Sequence, residues 1–241
     1  MTALDVLEPV RLEELQTRAA LLTRADRKYV LPEDLVPDLL RRLPAGARVL
    51  QIGERRRFGY CSEYLDTPGL DAYLGAARRR RGRFKVRVRT YLDSGDRFTE
   101  VKTRGPRGVT VKHRTPYAGP EAAGRYAAAV LGRGVLLGAA LVTCYQRVTL
   151  YLPASASRVT IDTGLSFALP GGPALALPGR AVVETKTPHA AGEVDRLLWR
   201  LGHRPGPISK YATGLAALRP DLPANRWRPV LRRHFPRQES R

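Results

Sequence analysis

The stretch RRRRGRFKVRVRTY, residues 78–91, decides how this chain can fold. From position 83 onward a cation stands at every second residue, and aromatic or aliphatic residues stand between: the cations are Arg83, Lys85, Arg87 and Arg89. Strict two-residue alternation is typical of a β-strand with one apolar and one polar face. The polar face of this strand is entirely cationic.

The same alternation recurs along the chain. After a turn at 93–96, residues 97–104 and 109–114 repeat the pattern, which predicts three consecutive antiparallel strands with charged faces. Further strands are predicted at 23–31, 58–67, 144–151, 157–162 and 181–187. Helices are predicted at 5–22, 32–43, 70–77, 120–132, 193–202 and 209–220. The fold class is therefore α+β, with one domain over 1–221 and a basic C-terminal tail, either weakly ordered or a docking segment, over 222–241.

The charge balance points to a polyanionic partner. The 42 Lys and Arg residues against 22 Asp and Glu leave a formal charge of +20. Charge alone does not choose among nucleic acid, polyphosphate, nucleotides and an anionic membrane. Lysine is scarce, which suggests positions where a compact ammonium is required; the six lysines are at 28, 85, 102, 112, 186 and 210.

The sequence gives only indirect indications of the cellular compartment of this protein. Cys61 and Cys144 are the only cysteines, and no secretory h-region is apparent, so a reducing, cytoplasmic setting is predicted. No apolar run approaches the roughly 18 residues of a spanning helix, so membrane insertion is not expected. The four histidines show no metal-site spacing.

The charged faces are expected to point inward. Like charges directly opposite on neighbouring strands destabilise a sheet, yet cations recur on strand after strand. The apolar faces can pack against the predicted helices, which favours a closed antiparallel β-barrel of about eight strands with a cationic lumen. Buried cations need counter-charge, so the expected occupant is an extended polyanion such as a triphosphate or polyphosphate, and not a DNA duplex.

A few acids fall in phase with these cations. Glu184, and further Asp26, Glu100 and Asp162, are candidates to bind a hard divalent ion that also bridges phosphate oxygens. The alternative for each is a salt bridge to a neighbouring arginine.

Nine short motifs in order resemble the VTC domain, the polyphosphate-polymerase branch of the triphosphate tunnel metalloenzymes. They are R-x-D-x-K-Y (24–29), Y-x-S-x-Y-L-D-T (60–67), R-x-K-V-R-x-R-x-Y (83–91), F-x-E-V-K-x-R (98–104), K-x-R (112–114), Y-x-R (145–147), R-x-T-I-D (158–162), V-E-x-K (183–186) and S-K-Y (209–211). The resemblance implies a β-barrel tunnel that binds nucleoside triphosphate and the growing polyphosphate chain, with Mn²⁺ or Mg²⁺ held by a Glu.

The motifs assign the site residues. The expected catalytic residues are Arg87, Arg89, Lys102, Arg147 and Lys186. The expected substrate-binding residues are Lys28, Lys85, Lys112, Arg114, Tyr145, Arg158, Ser209 and Lys210. The expected metal ligands are Glu184, Glu100 and Asp26.

The resemblance implies ATP-dependent polyphosphate synthesis, with ATP and polyphosphate as partners. Hydrolytic relatives carry Glu-x-Glu-x-Lys on the first strand, where this chain has Arg24, Asp26 and Lys28, which favours transfer over hydrolysis. Two alternatives stay open: a metal-dependent tripolyphosphatase or nucleoside triphosphatase, and a non-catalytic module that binds polyphosphate or RNA. Specific nucleic-acid recognition is not predicted, and coupling to a membrane translocator would need a separate subunit.

Overall fold

The computed structural model describes residues 3–18, 25–105, 110–188 and 190–236. In chain order the elements are β1 (Glu8–Val10), α1 (Leu12–Arg18), β2 (Ala25–Pro32), α2 (Val36–Arg41), β3 (Arg48–Leu50), β4 (Phe58–Asp66), α3 (Asp71–Ala77), β5 (Phe84–Tyr91), β6 (Arg97–Arg104), β7 (Thr110–Pro116), α4 (Pro120–Leu131), β8 (Gly138–Leu152), β9 (Ser157–Ala168), β10 (Ala174–Ala176), β11 (Arg180–Thr187), α5 (Glu193–Arg200), α6 (Lys210–Leu218) and α7 (Arg228–His234).

Two compact units make up the chain, and each is assembled from three segments. The first unit comprises Met1–Phe58, Tyr145–Leu165 and Leu177–Ile208. The second comprises Gly59–Cys144, Ser166–Ala176 and Ser209–Arg241.

The first unit is an antiparallel sheet with helices packed on one face. Its strand order is β2-β11-β9-β8, with β3 antiparallel to β8 and β1 parallel to β3. Apolar residues at alternate positions, including Leu31, Ile161 and Val183, form a core with Leu39 of α2 and Leu198 of α5. Because side chains alternate across a strand, the intervening charged residues lie on the opposite face.

The second unit is an antiparallel meander in the order β4-β5-β6-β7. Val86, Val88 and Val101 are buried, as are Ala123 and Ala127 on the inner side of α4. Small residues therefore let α4 lie close to the apolar face of β5 and β6, which leaves the cationic face free of that helix.

One glycine fixes the position of α6. A Cβ on Gly214 would lie 2.3 Å from Cδ1 of Phe167, closer than any side chain could be accommodated without movement. Since α6 begins at Lys210, this close approach sets where the S-K-Y motif lies in the second unit.

The long strands of the sequence analysis are confirmed, whereas several boundaries are wrong. The helix expected over 5–22 is interrupted, because 8–10 pair with β3 as a strand and α1 covers only Leu12–Arg18; residues 19–22 lie outside the described residues. The helix expected at 32–43 begins as a 3-10 turn at Glu33–Leu35. Its α-helical part starts at Val36, because Pro37 lacks an N–H and is tolerated only in a first turn.

The C-terminal segment 222–236 belongs to the region expected to be a basic tail, either weakly ordered or a docking segment. It carries α7, and Trp227 just before that helix is 2% exposed and packs on Tyr73 with ring centroids 5.5 Å apart. The domain limits at 221 and 222 stay a prediction.

The α+β class with an antiparallel sheet and flanking helices is confirmed, whereas closure into a barrel is not. Among the described pairings, β2 ends the strand order in the first unit and β7 ends it in the second. Within the described ranges no helix is both long enough and apolar enough to cross a membrane. Cys61 and Cys144, taken above to indicate a reducing setting, form a disulfide within the second unit.

Candidate functional site

Register places the cations of the second unit in rows across the sheet. Lys85 on β5 lies opposite Lys102 on β6, and Lys102 lies opposite Lys112 on β7. We call these three residues the lysine row. Like charges at directly opposed positions destabilise a sheet, so this row favours an anion as its neighbour.

Beside the lysine row lies a second row with one carboxylate. Tyr64, Arg87, Glu100 and Arg114 are aligned across β4 to β7. Arg87 donates from Nε to Glu100 Oε2 at 2.7 Å, Lys112 Nζ lies 2.6 Å from Oε1, and Arg89 Nη1 lies 4.0 Å from Oε1. Glu100 is thus the shared counter-ion of three cations.

Electrostatics keep Glu100 ionised. Burial would raise the pKa of this carboxyl, but Arg87, Arg89 and Lys112 hold it well below its ordinary value. Both of its oxygens face cations, so the contacts favour the salt-bridge alternative for Glu100 over a role as metal ligand.

Tyr64 joins this cluster, although sequence reasoning did not assign it. Its hydroxyl accepts a hydrogen bond from Arg87 Nη1 at 3.3 Å, and its ring stacks on Tyr211 with centroids 5.0 Å apart. Burial alone would raise the pKa of Tyr64, yet Arg87, Arg89 and Lys210 lower it. The signal was present in the Y-x-S-x-Y motif, where Tyr64 is in phase with Ser62 on the strand facing Arg89.

The start of α6 contributes to the same face. Ser209 caps this helix by accepting from the backbone N–H of Ala212, and Lys85 Nζ donates to the Ser209 hydroxyl at 3.1 Å. The expected residues Ser209 and Lys210 are therefore brought to the lysine row and to Tyr64.

The strand β7 is more open than its neighbours. The Lys112 side chain is 41% exposed, and Arg114 lies 3.5 Å from the ring centroid of Phe98. On β5, by contrast, the side chains of Arg87 and Arg89 are 11% and 10% exposed. Lys112 lies opposite Lys102 in the register, so β7 presents its cations on the same face as β5 but leaves them less shielded from solvent. The inward orientation expected from the sequence stays a prediction.

The first unit carries a second charged cluster, with alternating signs. Across β2, β11 and β9, Lys28 lies opposite Glu184 and Glu184 opposite Thr160. In the next row Asp26 lies opposite Lys186, and Lys186 opposite Arg158. Five of the expected phosphate or metal ligands thus meet on one face: Lys28, Glu184, Asp26, Lys186 and Arg158.

Glu184 and Lys186 form an ion pair, with Oε2 and Nζ 2.9 Å apart. Burial would raise the pKa of Glu184, but Lys186, Lys28 and Arg147 hold it well below its ordinary value. Burial lowers the pKa of Lys186 to about 8 in spite of its carboxylate partner. The carboxylate is therefore ionised, which is the state that can bind a cation.

Arg147 and Asp162 form a bidentate salt bridge in the same unit. Arg147 donates from Nε to Oδ1 at 2.6 Å and from Nη2 to Oδ2 at 2.8 Å, and the Asp162 side chain is fully buried. Arg147 also lies 5.2 Å from the ring centroid of Tyr145. Because both oxygens of Asp162 accept from one guanidinium, the salt-bridge alternative is favoured for this residue too.

A divalent ion would depend on few protein ligands here. Among the described residues no group of three or more His, Cys, Asp or Glu could hold a metal. Glu184 and Asp26 belong to the first unit and Glu100 to the second. A single ionised carboxylate fits Mg²⁺ or Mn²⁺ that takes its other ligands from water and substrate phosphates.

The segment from β2 to α4 contains Lys28, the lysine row and Glu100. The same segment is similar to a known family. Residues 23–134 match the VTC domain. The predicted resemblance is thereby confirmed over the lysine row, the Glu100 cluster and Lys28. The VTC match ends before Arg147, Arg158, Glu184 and Lys186. The roles expected for the site residues stay predictions, both inside the match and beyond it.

Several solved structures are similar to this chain only at a distance. A candidate adenylate cyclase from Vibrio parahaemolyticus is 13% identical with a TM-score of 0.48, covering 81% of this chain and 98% of that one. A candidate adenylyl cyclase from Hippeastrum, described as having a dominant triphosphatase activity, is 13% identical with a TM-score of 0.47, covering 79% and 94%. A Pyrococcus horikoshii protein is 14% identical with a TM-score of 0.45, covering 78% and 97%. No curated protein matches the chain.

Proposed function

We propose that this chain is an ATP-dependent polyphosphate polymerase. The observation that carries the proposal is the lysine row of Lys85, Lys102 and Lys112, which lies within the VTC match beside Arg87 and Arg89. Three directly opposed ammonium groups suit a string of phosphates, which carries repeated negative charge at close spacing. The closed tunnel implied by the resemblance stays a prediction.

The reaction transfers the γ-phosphoryl group of ATP to the terminal phosphate of a polyphosphate chain. The bond from the γ-phosphorus to its bridging oxygen breaks, a new bond forms to the terminal oxygen of the acceptor, and ADP leaves. Because the acceptor oxygen is already anionic, no general base is required. Catalysis then rests on alignment and on cations that neutralise charge spread over the transferring group.

Arg87 and Arg89 are suited to that neutralising role. Their side chains are largely buried, so their charges are weakly screened by solvent. Glu100 holds both guanidinium groups on the cationic face and prevents them from turning away. In the first unit, Lys186, Arg147 and Arg158 are proposed to bind phosphate oxygens in the same manner, with Lys28 and Tyr145 beside them.

A divalent ion completes the proposal. Glu184 would hold Mn²⁺ or Mg²⁺, and Asp26, which lies opposite Lys186, is a further carboxylate on the same face. When bound, the ion would supply positive charge that offsets the mutual repulsion of the phosphate oxygens. Lys186 already pairs with Glu184, so the same carboxylate also positions a phosphate-binding ammonium.

Hydrolysis of tripolyphosphate or nucleoside triphosphates is the second candidate. It shares the cationic residues and differs in needing an activated water. Asp26 supplies the only carboxylate among Arg24, Asp26 and Lys28, and Arg24 lies outside the described residues. Fewer carboxylates mean less capacity for a second ion or a water-activating base, which favours transfer.

The test is to incubate the purified protein with ATP and Mn²⁺, and in parallel with Mg²⁺, and to separate the products by size. We expect chains that lengthen with time together with ADP. Orthophosphate without chains would replace the polymerase with the hydrolase. Unchanged ATP in every sample, with tripolyphosphate still bound, would reduce the function to a polyanion-binding module.

A further inference from the structure

A second group of cations lies in the second unit, apart from every residue assigned above. It consists of Arg79 after α3, Arg83 before β5, Arg104 at the end of β6 and Arg226 before α7, and we call it the distal arginine cluster. The positive charge of Arg83 is repelled by the charges of the other three arginines, and the charge of Arg226 is repelled by those of Arg79 and Arg104. Four chain segments therefore bring guanidinium groups to one place.

Carboxylates do not neutralise this cluster. In the part of the chain that the structure describes, none of its four arginines forms an ion pair with an acid. Arg83 and Arg226 instead donate to the backbone carbonyls of Arg80 and Ala76. Burial, and then the neighbouring arginines, lower the pKa of Arg83 and of Arg226, with no acid among the causes.

Arg226 has an unsatisfied donor inside the cluster. Its Nε is buried and makes no hydrogen bond among the described residues. A buried guanidinium N–H without an acceptor is costly, and an anion that enters the cluster would supply that acceptor. Arg83 also lines a cleft with Arg80 and Arg133, and among the described residues that line it Asp71 is the single carboxylate.

The cluster continues the lysine row along the strands. Arg83 and Arg104 each lie two residues beyond Lys85 and Lys102, and the backbone N–H of Arg104 donates to the carbonyl of Arg83 at 3.3 Å. Residues two apart face the same side of a strand and are separated by roughly 7 Å along it. An extended anion bound at Lys85 and Lys102 would therefore reach Arg83 and Arg104 after a further few phosphates.

We propose that the distal arginine cluster is a binding site for the part of a polyphosphate chain that extends beyond the lysine row. The site makes affinity depend on chain length, because a triphosphate at the lysine row is too short to reach it. The inference rests on the proposed function, since it takes the chain at the lysine row to be a polyphosphate.

Polyphosphate fits this cluster better than RNA does. Proteins that bind single-stranded nucleic acid stack bases on accessible aromatic rings. The exposed large hydrophobic residues of the described chain are all aliphatic, and Phe84, next to Arg83, is buried with Arg133 over its ring. The arginines of the cluster can therefore bind phosphate oxygens, and no exposed aromatic ring of the described residues offers a base a stacking surface.

The test compares ligands of two lengths, tripolyphosphate and long-chain polyphosphate, by calorimetric titration without divalent ions. The variant combines Arg83→Gln, Arg104→Gln and Arg226→Gln. Each partly exposed arginine is expected to raise the affinity for the long chain about two- to threefold, so the triple variant should bind it about 8- to 27-fold more weakly. Its affinity for tripolyphosphate should be unchanged, and its affinity for the long chain should fall less steeply with salt.

Two control variants sharpen the comparison. Arg125→Gln removes a cation from the same unit whose side chain is 74% exposed and pairs with Glu121, and it should change neither affinity. The combination of Arg83→Lys, Arg104→Lys and Arg226→Lys keeps the charge and should restore most of the long-chain affinity. Thermal unfolding checks the fold; should the triple variant unfold early, Arg226→Gln alone should still show the two- to threefold loss.

The outcomes separate the two proposals. Equal losses for both ligand lengths, or no loss for the long chain, would overturn the distal site. Loss of affinity for single-stranded RNA with polyphosphate binding intact would assign the cluster to RNA and overturn it as well. Wild-type protein that binds the long chain through the cluster but makes no chains from ATP would overturn the polymerase and leave the distal site standing.

Discussion

Glu184 and Lys186 lie two residues apart on β11 and pair with each other at 2.9 Å, while each also faces an opposite charge on β2. Their partners there are Lys28 and Asp26, so unlike charges alternate in both directions on this face. The lysine row of the second unit has no such alternation. Substitutions on the two charged faces are therefore expected to have different effects.

Replacing Glu184 by Gln should separate catalysis from binding. Loss of the carboxylate removes the proposed metal ligand and releases Lys186, so chain synthesis should fall by about 10²- to 10³-fold. Affinity for tripolyphosphate without metal should not fall, because a negative charge has left the site. Product separation and calorimetry measure the two effects, with Glu13→Gln on the exposed side of α1 as the control. Equal loss of binding and synthesis would contradict the assignment of Glu184 to the metal.

Replacing Glu100 by Gln should destabilise the protein. Three cations would lose their shared counter-ion, and removing one partner of a buried ion pair costs about 3 kcal/mol or more. Denaturant unfolding measures the change. Glu121→Gln, which removes an exposed carboxylate from α4, should have little effect. Tripolyphosphate should recover more stability in the Glu100 variant than in the wild type, because it supplies the missing negative charge.

The same residue predicts a pH dependence. The pKa of Glu100 in the folded protein is below its ordinary value of 4.5, so the folded state binds fewer protons than the unfolded state as the pH falls past that value. The stability that Glu100 contributes is therefore complete above pH 4.5 and is lost on acidification. The difference in unfolding free energy between wild type and Glu100→Gln should shrink at low pH. A difference that stays constant would contradict the ion-pair role.

Replacing Lys102 by Gln should weaken ligand-induced stabilisation. Lys102 is the middle member of the lysine row, so its loss interrupts the row where a phosphate chain would be held. We expect tripolyphosphate to raise the melting temperature of the wild type and to raise that of the variant markedly less. Lys102→Arg, which keeps the charge, should fall between the two. The same shift in all three proteins would show that the row does not bind the ligand.

Reduction of the disulfide between Cys61 and Cys144 should lower stability. The bond closes a loop with a sequence separation of 83, for which the chain-entropy relation gives about 4.5 kcal/mol. Unfolding with and without reductant measures the loss, and the protein with Ser at both positions should not respond to reductant. Identical intact masses before and after reduction and denaturation would show that the disulfide is absent.

Sequence reasoning succeeded for the strands because their signal is local. The alternation at 83–89 and 97–104 follows from which face of a strand meets the core, and both segments are strands. It failed where pairing or packing decides: residues 8–10 form β1 only because β3 lies beside them, and 228–234 form α7 in a segment anchored by the buried Trp227. The partners of Glu100 were out of reach because they depend on cross-strand register, whereas the Y-x-S-x-Y motif contained a signal for Tyr64 that was not used.

By itself, the sequence determined that cations occupy one face of successive antiparallel strands, since a two-residue period allows no other arrangement. Only the tertiary structure decided that Glu100 is shared by three cations, that Asp162 is closed off by Arg147, and that Arg226 joins Arg83 and Arg104. The physical reason is the sequence separation of the residues that determine each feature. Alternation is set by neighbours along the chain, whereas ion pairs and unsatisfied donors arise from residues that folding brings together from distant segments.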